Sequence, residues 1–257
     1  MRSIDIIRQK RRFLMFNEKS RDKVLELNEF FGKYIMHFED KIKKTFTYYD
    51  TDNHDLEKSN IVLFKTHIGN FTELNMATEK ISATYRYKVR TNYKHYTKPI
   101  KPGDSILRHK EFLIDNFTNM FLSSINFDPE FLMRKLKVAY TIETTSTEYR
   151  SLNVMGLKIT YSFDSDKYIN HYTGKIAYNN VLTIYQHSRE NTDPDFEDLI
   201  SKLTRYCKEL TATGDTKIQI ARAITSDRPE NELLKSKDGK KVNPKDAKKK
   251  KDIKKKK

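Results

Sequence analysis

Basic side chains recur at every second position in several stretches of this sequence that have the composition of β-strands. Arg86, Lys88 and Arg90 alternate with tyrosine and valine. Because successive side chains of a strand point to opposite faces, these three cations are expected to share one face. Such a face of ammonium and guanidinium groups predicts an anion-binding site. The candidate anion-binding residues are seven cations on three predicted strands: Arg8, Lys10, Arg12, Arg86, Lys88, Arg90 and Lys158.

The same strands offer no matching pair of carboxylates that could hold a metal ion. The acidic stretch from Asp50 to Asp55 has a superficial likeness to a calcium loop. An EF-hand, however, needs Gly at its sixth position and Glu at its twelfth, where this sequence has Asp55 and Ile61. A polar turn is the better interpretation. The histidines lack metal-ligand spacing and no glycine-rich phosphate loop is present, so the residues themselves predict neither a metal nor a cofactor.

The formal net charge of +15 in 257 residues is unevenly distributed. Residues 233–257 contain 13 lysines and three aspartates, a net charge of +10, which leaves +5 for residues 1–232. The segment 226–257 lacks hydrophobic spacing and is predicted to be a disordered, lysine-rich tail. Such a tail can attract nucleic acid or an anionic surface without specificity, through release of counterions.

Cys207 is the only cysteine, so the chain cannot form an internal disulfide, as expected in a reducing compartment. No apolar run is long enough to span a bilayer. The first ten residues are charged and lack a secretory apolar region. These observations predict a cytoplasmic protein without a transmembrane segment.

Hydrophobic periodicity predicts an α+β protein in which long helices separate runs of antiparallel strands. A strand over Ile4–Phe16 precedes a helix that begins after Ser20 and ends near Lys43. The segment Lys98–Asp104, with two prolines and a glycine, is predicted to be a loop. Further strands are expected at Ile61–Thr66, Ser82–Tyr93, Lys137–Thr144, Leu157–Phe163, Tyr168–Tyr172 and Val181–His187, and further helices at Glu111–Leu122 and from Pro194 to near Gly214.

One block of the sequence resembles a signature of the CYTH superfamily, whose members are also called triphosphate tunnel enzymes. The block is Thr47-Tyr48-Tyr49-Asp50-Thr51, followed by Leu56 and the apolar segment Ile61–Leu63. The layout is most similar to the branch that contains polyphosphate polymerase (VTC) domains. This likeness depends on four shorter motifs: Tyr85-Arg86-Tyr87-Lys88, Gly156-Leu157-Lys158-Ile159-Thr160, Val181–Tyr185 and Thr216-Lys217-Ile218.

The resemblance implies an antiparallel β-barrel or tunnel of about eight strands with flanking helices, formed by residues 1–225. In that family, basic residues inside the tunnel grip a triphosphate or polyphosphate, and glutamates hold a divalent metal ion. This sequence departs from the pattern, because Arg8, Lys10 and Arg86 stand where the family has glutamates. Thr183 likewise replaces a late glutamate and Ser162 an aspartate. The acidic half of the site is therefore expected to be degenerate.

The leading hypothesis is a degenerate triphosphate-tunnel-like protein that binds a polyanion through its basic strand residues, without efficient metal-dependent catalysis. The polyanion would be a triphosphate, a polyphosphate or a nucleotide. One alternative is a divergent triphosphatase or phosphoryl transferase that uses Mg²⁺ or Mn²⁺ and takes its acids from elsewhere, such as Glu143, Asp164 or Asp166. A third possibility is a non-enzymatic scaffold or nucleic-acid-associated module that uses the lysine-rich tail.

Overall fold

The structure, a computed structural model, describes residues 6–15, 18–26, 35–78, 94–120, 128–152, 158–188 and 196–226, with the backbone alone at 6–9, 18, 152, 158 and 187–188. The strands are β1 (Ile6–Met15), β2 (His37–Asp50), β3 (Ile61–Ile68), β4 (Phe71–Thr78), β5 (His95–Ile100), β6 (Lys137–Leu152), β7 (Lys158–Asn170), β8 (Ile176–Ser188) and β9 (Leu210–Thr213). The helices are α1 (Glu18–Glu26), α2 (Asp55–Lys58), α3 (Lys110–Met120), α4 (Pro129–Arg134), α5 (Phe196–Tyr206) and α6 (Lys217–Thr225), with a short 3₁₀ helix at Ile106–His109.

The nine strands form one antiparallel sheet in the order β5-β4-β3-β2-β6-β7-β8-β1-β9. With the six helices packed on it, the sheet makes a tunnel-like α+β fold, which confirms the predicted fold class. The described residues contribute nine strands to the sheet, where about eight were expected. Within the described ranges no ladder joins the edge strands β5 and β9, so hydrogen bonds do not close the tunnel there.

The two faces of the sheet carry different side chains, because alternation along each strand sends neighbours to opposite faces. One face, which we call the outer face, is covered by α1 and α5 over a cluster around Phe13, and by α3 and α4 over a second cluster around Leu74. The opposite face, which we call the inner face, packs against α6, where Ile218 contacts a cluster that includes Ile142 and Tyr168. Each fully buried side chain of this kind stabilises the fold by about 1.5–3 kcal/mol.

The prediction of a helix as far as Lys43 is wrong over residues 37–43, which belong to β2. Helix α1 is described over Glu18–Glu26, and residues 27–34 lie outside the described part of the chain. β2 hydrogen-bonds to β3 on one side and to β6 on the other. Pairing on both edges of a long strand outweighs the helical spacing of a few apolar residues, since propensity is a weak prior.

Residues 98–100, predicted as the start of a loop, belong instead to the end of strand β5, which contains Pro99. Proline lacks a backbone N–H, but β5 ends the described order of strands, where the missing donor breaks no ladder. Two predicted strands at 157–163 and 168–172 merge into β7, and the last predicted helix ends at Tyr206. Strands β4 and β9 and helix α6 have no counterpart in the sequence prediction. The strand predicted at 82–93 lies outside the described residues.

No helix in the described ranges combines the length and apolar character that crossing a bilayer requires. The predicted boundary between a domain over residues 1–225 and a tail over residues 226–257 stays a prediction, because residues 227–257 lie outside the description.

Candidate functional site

The structure locates only part of the predicted basic set. The seven cations lie as follows: Arg8, Lys10 and Arg12 on β1, Lys158 at the start of β7, and Arg86, Lys88 and Arg90 in the segment 79–93, outside the described residues. The side chains of Arg8 and Lys158 are also outside the description. Lys10 and Arg12 are therefore the two predicted cations whose surroundings are defined.

Lys10 and Arg12 project from β1 to the inner face. Leu14, two residues further along, packs into the inner cluster with α6, and alternation places all three residues on one face. Directly opposed residues of antiparallel strands point to the same side, so the strand register aligns two rows on this face. The first row consists of Lys10, Tyr185, Thr160 and Arg150. The second row, next to the first, consists of Arg12, Thr183, Ser162 and Glu148. The shared face agrees with the predicted alternation, while anion binding stays a prediction.

Arg12 is half-buried on this face. Its Nη1 donates a hydrogen bond to the backbone carbonyl of Asp215, in the loop that leads into α6. Its Nε is buried and has no hydrogen-bond partner within the described residues. A buried donor without an acceptor costs about 1–3 kcal/mol, so an anion that supplied an oxygen there would gain that amount.

Tyr185 adds a hydroxyl donor beside these cations. Burial raises the pKa of Tyr185 to about 12, with the Asp164 carboxylate adding to the rise and Arg12 opposing it. The phenol therefore stays protonated at neutral pH. Lys10 Nζ lies 5.2 Å from the centre of the Tyr185 ring, within the range of a cation–π contact.

Two carboxylates lie on the inner face next to these rows. Asp164 and Asp166 alternate along β7 and are only 4% and 2% exposed. Lys217, the first residue of α6, places its ammonium 3.1 Å from Asp164 Oδ2 and 2.5 Å from Asp166 Oδ2. One internal cation therefore joins two buried acids, which we call the acid pair.

Four hydroxyl groups complete the hydrogen bonding of the acid pair. Buried carboxylates are tolerated when they are both paired with a cation and hydrogen-bonded, and this network provides both. The donors are Ser146 (2.6 Å) and Ser162 (2.7 Å) to Asp164 Oδ1, Thr144 (2.5 Å) to Asp166 Oδ1 and Tyr168 (2.8 Å) to Asp166 Oδ2.

Because of the acid pair, the free energy of unfolding is expected to fall at low pH. Burial raises the pKa of Asp164, but the Lys217 ammonium and the hydroxyls of Ser146 and Ser162 outweigh burial and hold that pKa below its ordinary value of 3.8. A carboxyl whose pKa is lowered by folding stabilises the protein above its ordinary pKa, and this stabilisation disappears as the pH falls. Urea titrations should therefore show a falling free energy of unfolding between about pH 5 and pH 3. Asp164→Asn should flatten that dependence, and the same profile in Asp164→Asn and wild type would contradict the assignment; Asp115→Asn, at an exposed position, is the control.

No carboxylate pair was predicted on a strand, whereas β7 carries Asp164 and Asp166 on the same face as Arg12; the expectation that no such pair holds a metal ion stays a prediction. In the strand register, Asp164 lies opposite Ser146 and Asp166 lies opposite Thr144, so both aspartates point to the inner face. The third acid of the enzyme alternative, Glu143, is on the outer face instead. Its side chain is 51% exposed and pairs with Lys167 at 3.0 Å.

The inner face also carries cations that were missed among the candidate residues, namely Lys217, Lys44 and Arg150. Lys217 belongs to a motif noted above, but its helix was not predicted. Lys44 on β2 lies opposite Thr144 and places its Nζ 2.7 Å from Glu148 Oε1, with both side chains less than a fifth exposed. Ile42, Lys44 and Phe46 are spaced by two residues and share one face of β2, a spacing that indicates a strand.

One other group has ligand-like spacing. Asp50, His54 and Glu57 have potential ligand atoms within 4.8 Å of one another. Asp50 accepts hydrogen bonds from the backbone N–H groups of Thr51, Leu56 and Glu57, and so caps the short helix α2. His54 Nδ1 lies 3.2 Å from Glu57 Oε2. These contacts account for the cluster as the polar turn that the sequence predicts.

No protein-family model matches this sequence, and no curated protein matches it. Solved structures do match. One is a putative adenylyl cyclase from Hippeastrum, described as having a dominant triphosphatase activity, with a TM-score of 0.47, 9% identity and coverage of 84% of this chain and 96% of that chain. Another is a putative adenylate cyclase from Bacillus halodurans, with a TM-score of 0.45, 11% identity and coverage of 84% and 96%. An inorganic triphosphatase matches with a TM-score of 0.23, 11% identity and coverage of 75% and 83%.

The cyclase and triphosphatase activities in these descriptions are stated of the matched proteins alone. The finer likeness to polyphosphate polymerase domains stays a prediction. Because these TM-scores are below 0.5 and the identities do not exceed 11%, the matches identify neither a substrate nor an activity of this chain.

Proposed function

We propose that the inner face binds a short chain of phosphoryl groups without a divalent metal ion. The chain would be a triphosphate, a polyphosphate or the phosphates of a nucleotide. The observation that carries the proposal is Arg12, whose buried Nε lacks an acceptor in the described structure while its neighbour Lys10 projects to the same face. A guanidinium presents its N–H groups in a fork that matches phosphate oxygens, and an ammonium adds a point charge.

The rows that begin at Lys10 and Arg12 supply the remaining donors. Tyr185 and Thr183 lie opposite these cations on β8. Hydroxyl groups of this kind hold phosphate oxygens by neutral hydrogen bonds, while the cations offset their charge. The rows therefore place hydroxyl groups beside the two cations.

The acid pair does not fit a divalent metal ion in this arrangement. Mg²⁺ requires a near-octahedral shell of oxygen ligands. Between Asp164 and Asp166, the Lys217 ammonium already takes the place of a cation, and hydroxyl groups donate to the same carboxylates. The donor set therefore favours binding over the metal-dependent triphosphatase alternative.

Calorimetric titration of the full chain with tripolyphosphate, in the presence of a chelator, tests the proposal. Arg12→Gln is expected to weaken binding by about ten- to a hundredfold, since it removes a charge-assisted hydrogen bond worth roughly 1.5–3 kcal/mol. Lys208→Gln removes the same charge from an exposed turn and leaves any contribution of the lysine-rich segment unchanged. Equal affinities of the two variants would refute the proposal.

The same preparations separate the alternatives. Phosphate release that requires Mg²⁺ or Mn²⁺ and disappears in Asp164→Ala would establish the enzyme alternative instead. Salt-sensitive RNA binding that is identical in wild type and Arg12→Gln would assign nucleic-acid association to another part of the chain, such as the lysine-rich segment.

A further inference from the structure

A polar cleft lies on the outer face of the sheet; its walls include Asp164 and Asp166, although the side chains of these two residues project to the inner face. Two adjoining cavities of about 580 Å³ and 190 Å³ share Met15, Thr145, Ser165 and Asn180 in their walls. The shared walls join them into one cleft, which we call the outer cleft.

The strand register builds the floor of the outer cleft. Lys43, Thr145, Ser165 and Asn180 are successive cross-strand partners on β2, β6, β7 and β8. Because opposed residues point to the same side, their side chains form one continuous polar row. Neighbouring strands are about 4.8 Å apart, so the row spans roughly 14 Å, room for more than one anionic group.

Positive charge collects at the β2 end of the row. Lys41 and Lys43 are exposed and line the cleft, and no acidic side chain of the described residues pairs with them. Arg21 of α1 also lines it, with its own contact to Asp22 at 3.3 Å. In the adjoining row of side chains along the strands, the Lys167 and Glu143 charges cancel in a 3.0 Å pair. The lysines therefore give the cleft an excess of positive charge.

The floor itself is rich in hydrogen-bond donors. Ser165 Oγ donates to Asn180 Oδ1 at 3.0 Å, so Nδ2 is the Asn180 side-chain atom that remains for another acceptor. Thr145 and Thr147 add hydroxyl groups to the walls. Ammonium, hydroxyl and amide donors together are the groups by which proteins hold phosphate oxygens.

We propose that the outer cleft is a second anion site, separate from the inner face, and that its ligand is a phosphoryl group. The group belongs either to a free phosphate chain or to a phosphodiester backbone, which present the same oxygens to this row. Lys41 and Lys43 supply the charge, and the row from Thr145 to Asn180 supplies the directional donors. This site does not depend on the function proposed for the inner face.

Backbone amide NMR of the full chain locates the site directly. During a tripolyphosphate titration, the amide signals of Thr145, Ser165 and Asn180 are expected to shift and to saturate. The double variant Lys41→Gln/Lys43→Gln should need about tenfold more ligand for the same shifts. Its matched control, Lys101→Gln/Lys208→Gln, loses the same charge at exposed positions outside the cleft and should behave as wild type.

The outcomes are separable from those of the inner face. Arg12→Gln should leave the shifts of the outer cleft intact, even if Arg12 proves to have no part in binding. Amides that do not shift, or equal behaviour of the two double variants, would overturn the proposal. A parallel titration with a short single-stranded RNA identifies the source: the ligand that saturates these amides at the lower phosphate concentration is the class that the cleft selects.

Discussion

Replacing Lys217 with methionine is expected to lower the free energy of unfolding by roughly 3–5 kcal/mol. Methionine keeps an apolar stem but removes the ammonium that lies 3.1 Å from Asp164 and 2.5 Å from Asp166. Two nearly fully buried carboxylates would then lie side by side without a counter-charge. Removing one partner of a buried ion pair is costly because the other charge remains in the interior.

Urea unfolding of the full chain measures this effect, with Lys208→Met as the exposed control. Adding Asp164→Asn and Asp166→Asn to Lys217→Met should recover much of the loss, since amides leave no stranded charge and keep similar volumes. A Lys217→Met variant as stable as Lys208→Met would show that the ammonium does not balance the acid pair. Because the triple variant retains the methionine, it shows whether the loss of stability comes from the unpaired carboxylates or from the packing of the methionine side chain.

The β1 part of the candidate site could be predicted from sequence. Lys10 and Arg12 are separated by one residue in a β-prone segment, and alternation alone predicts that they share a face. The structure adds what spacing cannot provide: the opposed hydroxyls on β8, and the Asp215 carbonyl that holds one end of the Arg12 guanidinium. Those contacts join residues distant in sequence and so depend on the order of strands in the sheet.

Asp164 and Asp166 were named from the sequence as candidate acids of the enzyme alternative, but the strand that carries both was not predicted. Asp164-Ser165-Asp166 has the composition of a turn, and the predicted strands stopped at Phe163 and resumed at Tyr168. In the structure one continuous strand, β7, runs through both aspartates. Pairing with β6 and β8 on both edges, together with the Lys217 ammonium, stabilises these acids in the sheet interior. The turn preference of Asp164-Ser165-Asp166 is therefore outweighed by strand pairing and by the contact with Lys217, neither of which is apparent from a single sequence.

Lys217 and Lys44 illustrate a second limit. Helix α6 has only nine residues and a mixed surface, so its place against the inner face comes from packing of Ile218 and Ala221 and not from a strong local signal. Lys44 lies directly after the predicted end of the helix near Lys43, and its contact with Glu148 depends on the pairing of β2 with β6, which the sequence did not predict. Both cations compensate acids of the inner face.

Manganese is expected to stabilise the Lys217→Met variant but not the wild-type protein. If the Lys217 ammonium takes the place of a cation, its removal leaves Asp164 and Asp166 with hydroxyl oxygens of Ser146 and Thr144 around them. Carboxylate and hydroxyl oxygens are ligands that suit Mn²⁺. At a free metal concentration about 100 times the dissociation constant, binding to the folded state alone would raise the free energy of unfolding by about 2.7 kcal/mol.

Thermal unfolding with and without Mn²⁺ provides the measurement, and Lys217→Met/Asp166→Asn provides the control, since it keeps the methionine but removes one carboxylate. That control should respond much less than Lys217→Met. A wild-type protein that responds as strongly as the variant would show that the metal displaces the Lys217 ammonium, and would favour the metal-dependent enzyme over the binding protein. No response in Lys217→Met would show that the two carboxylates form no cation site even when the ammonium is absent, so that Lys217 serves the stability of the sheet and not the replacement of a metal.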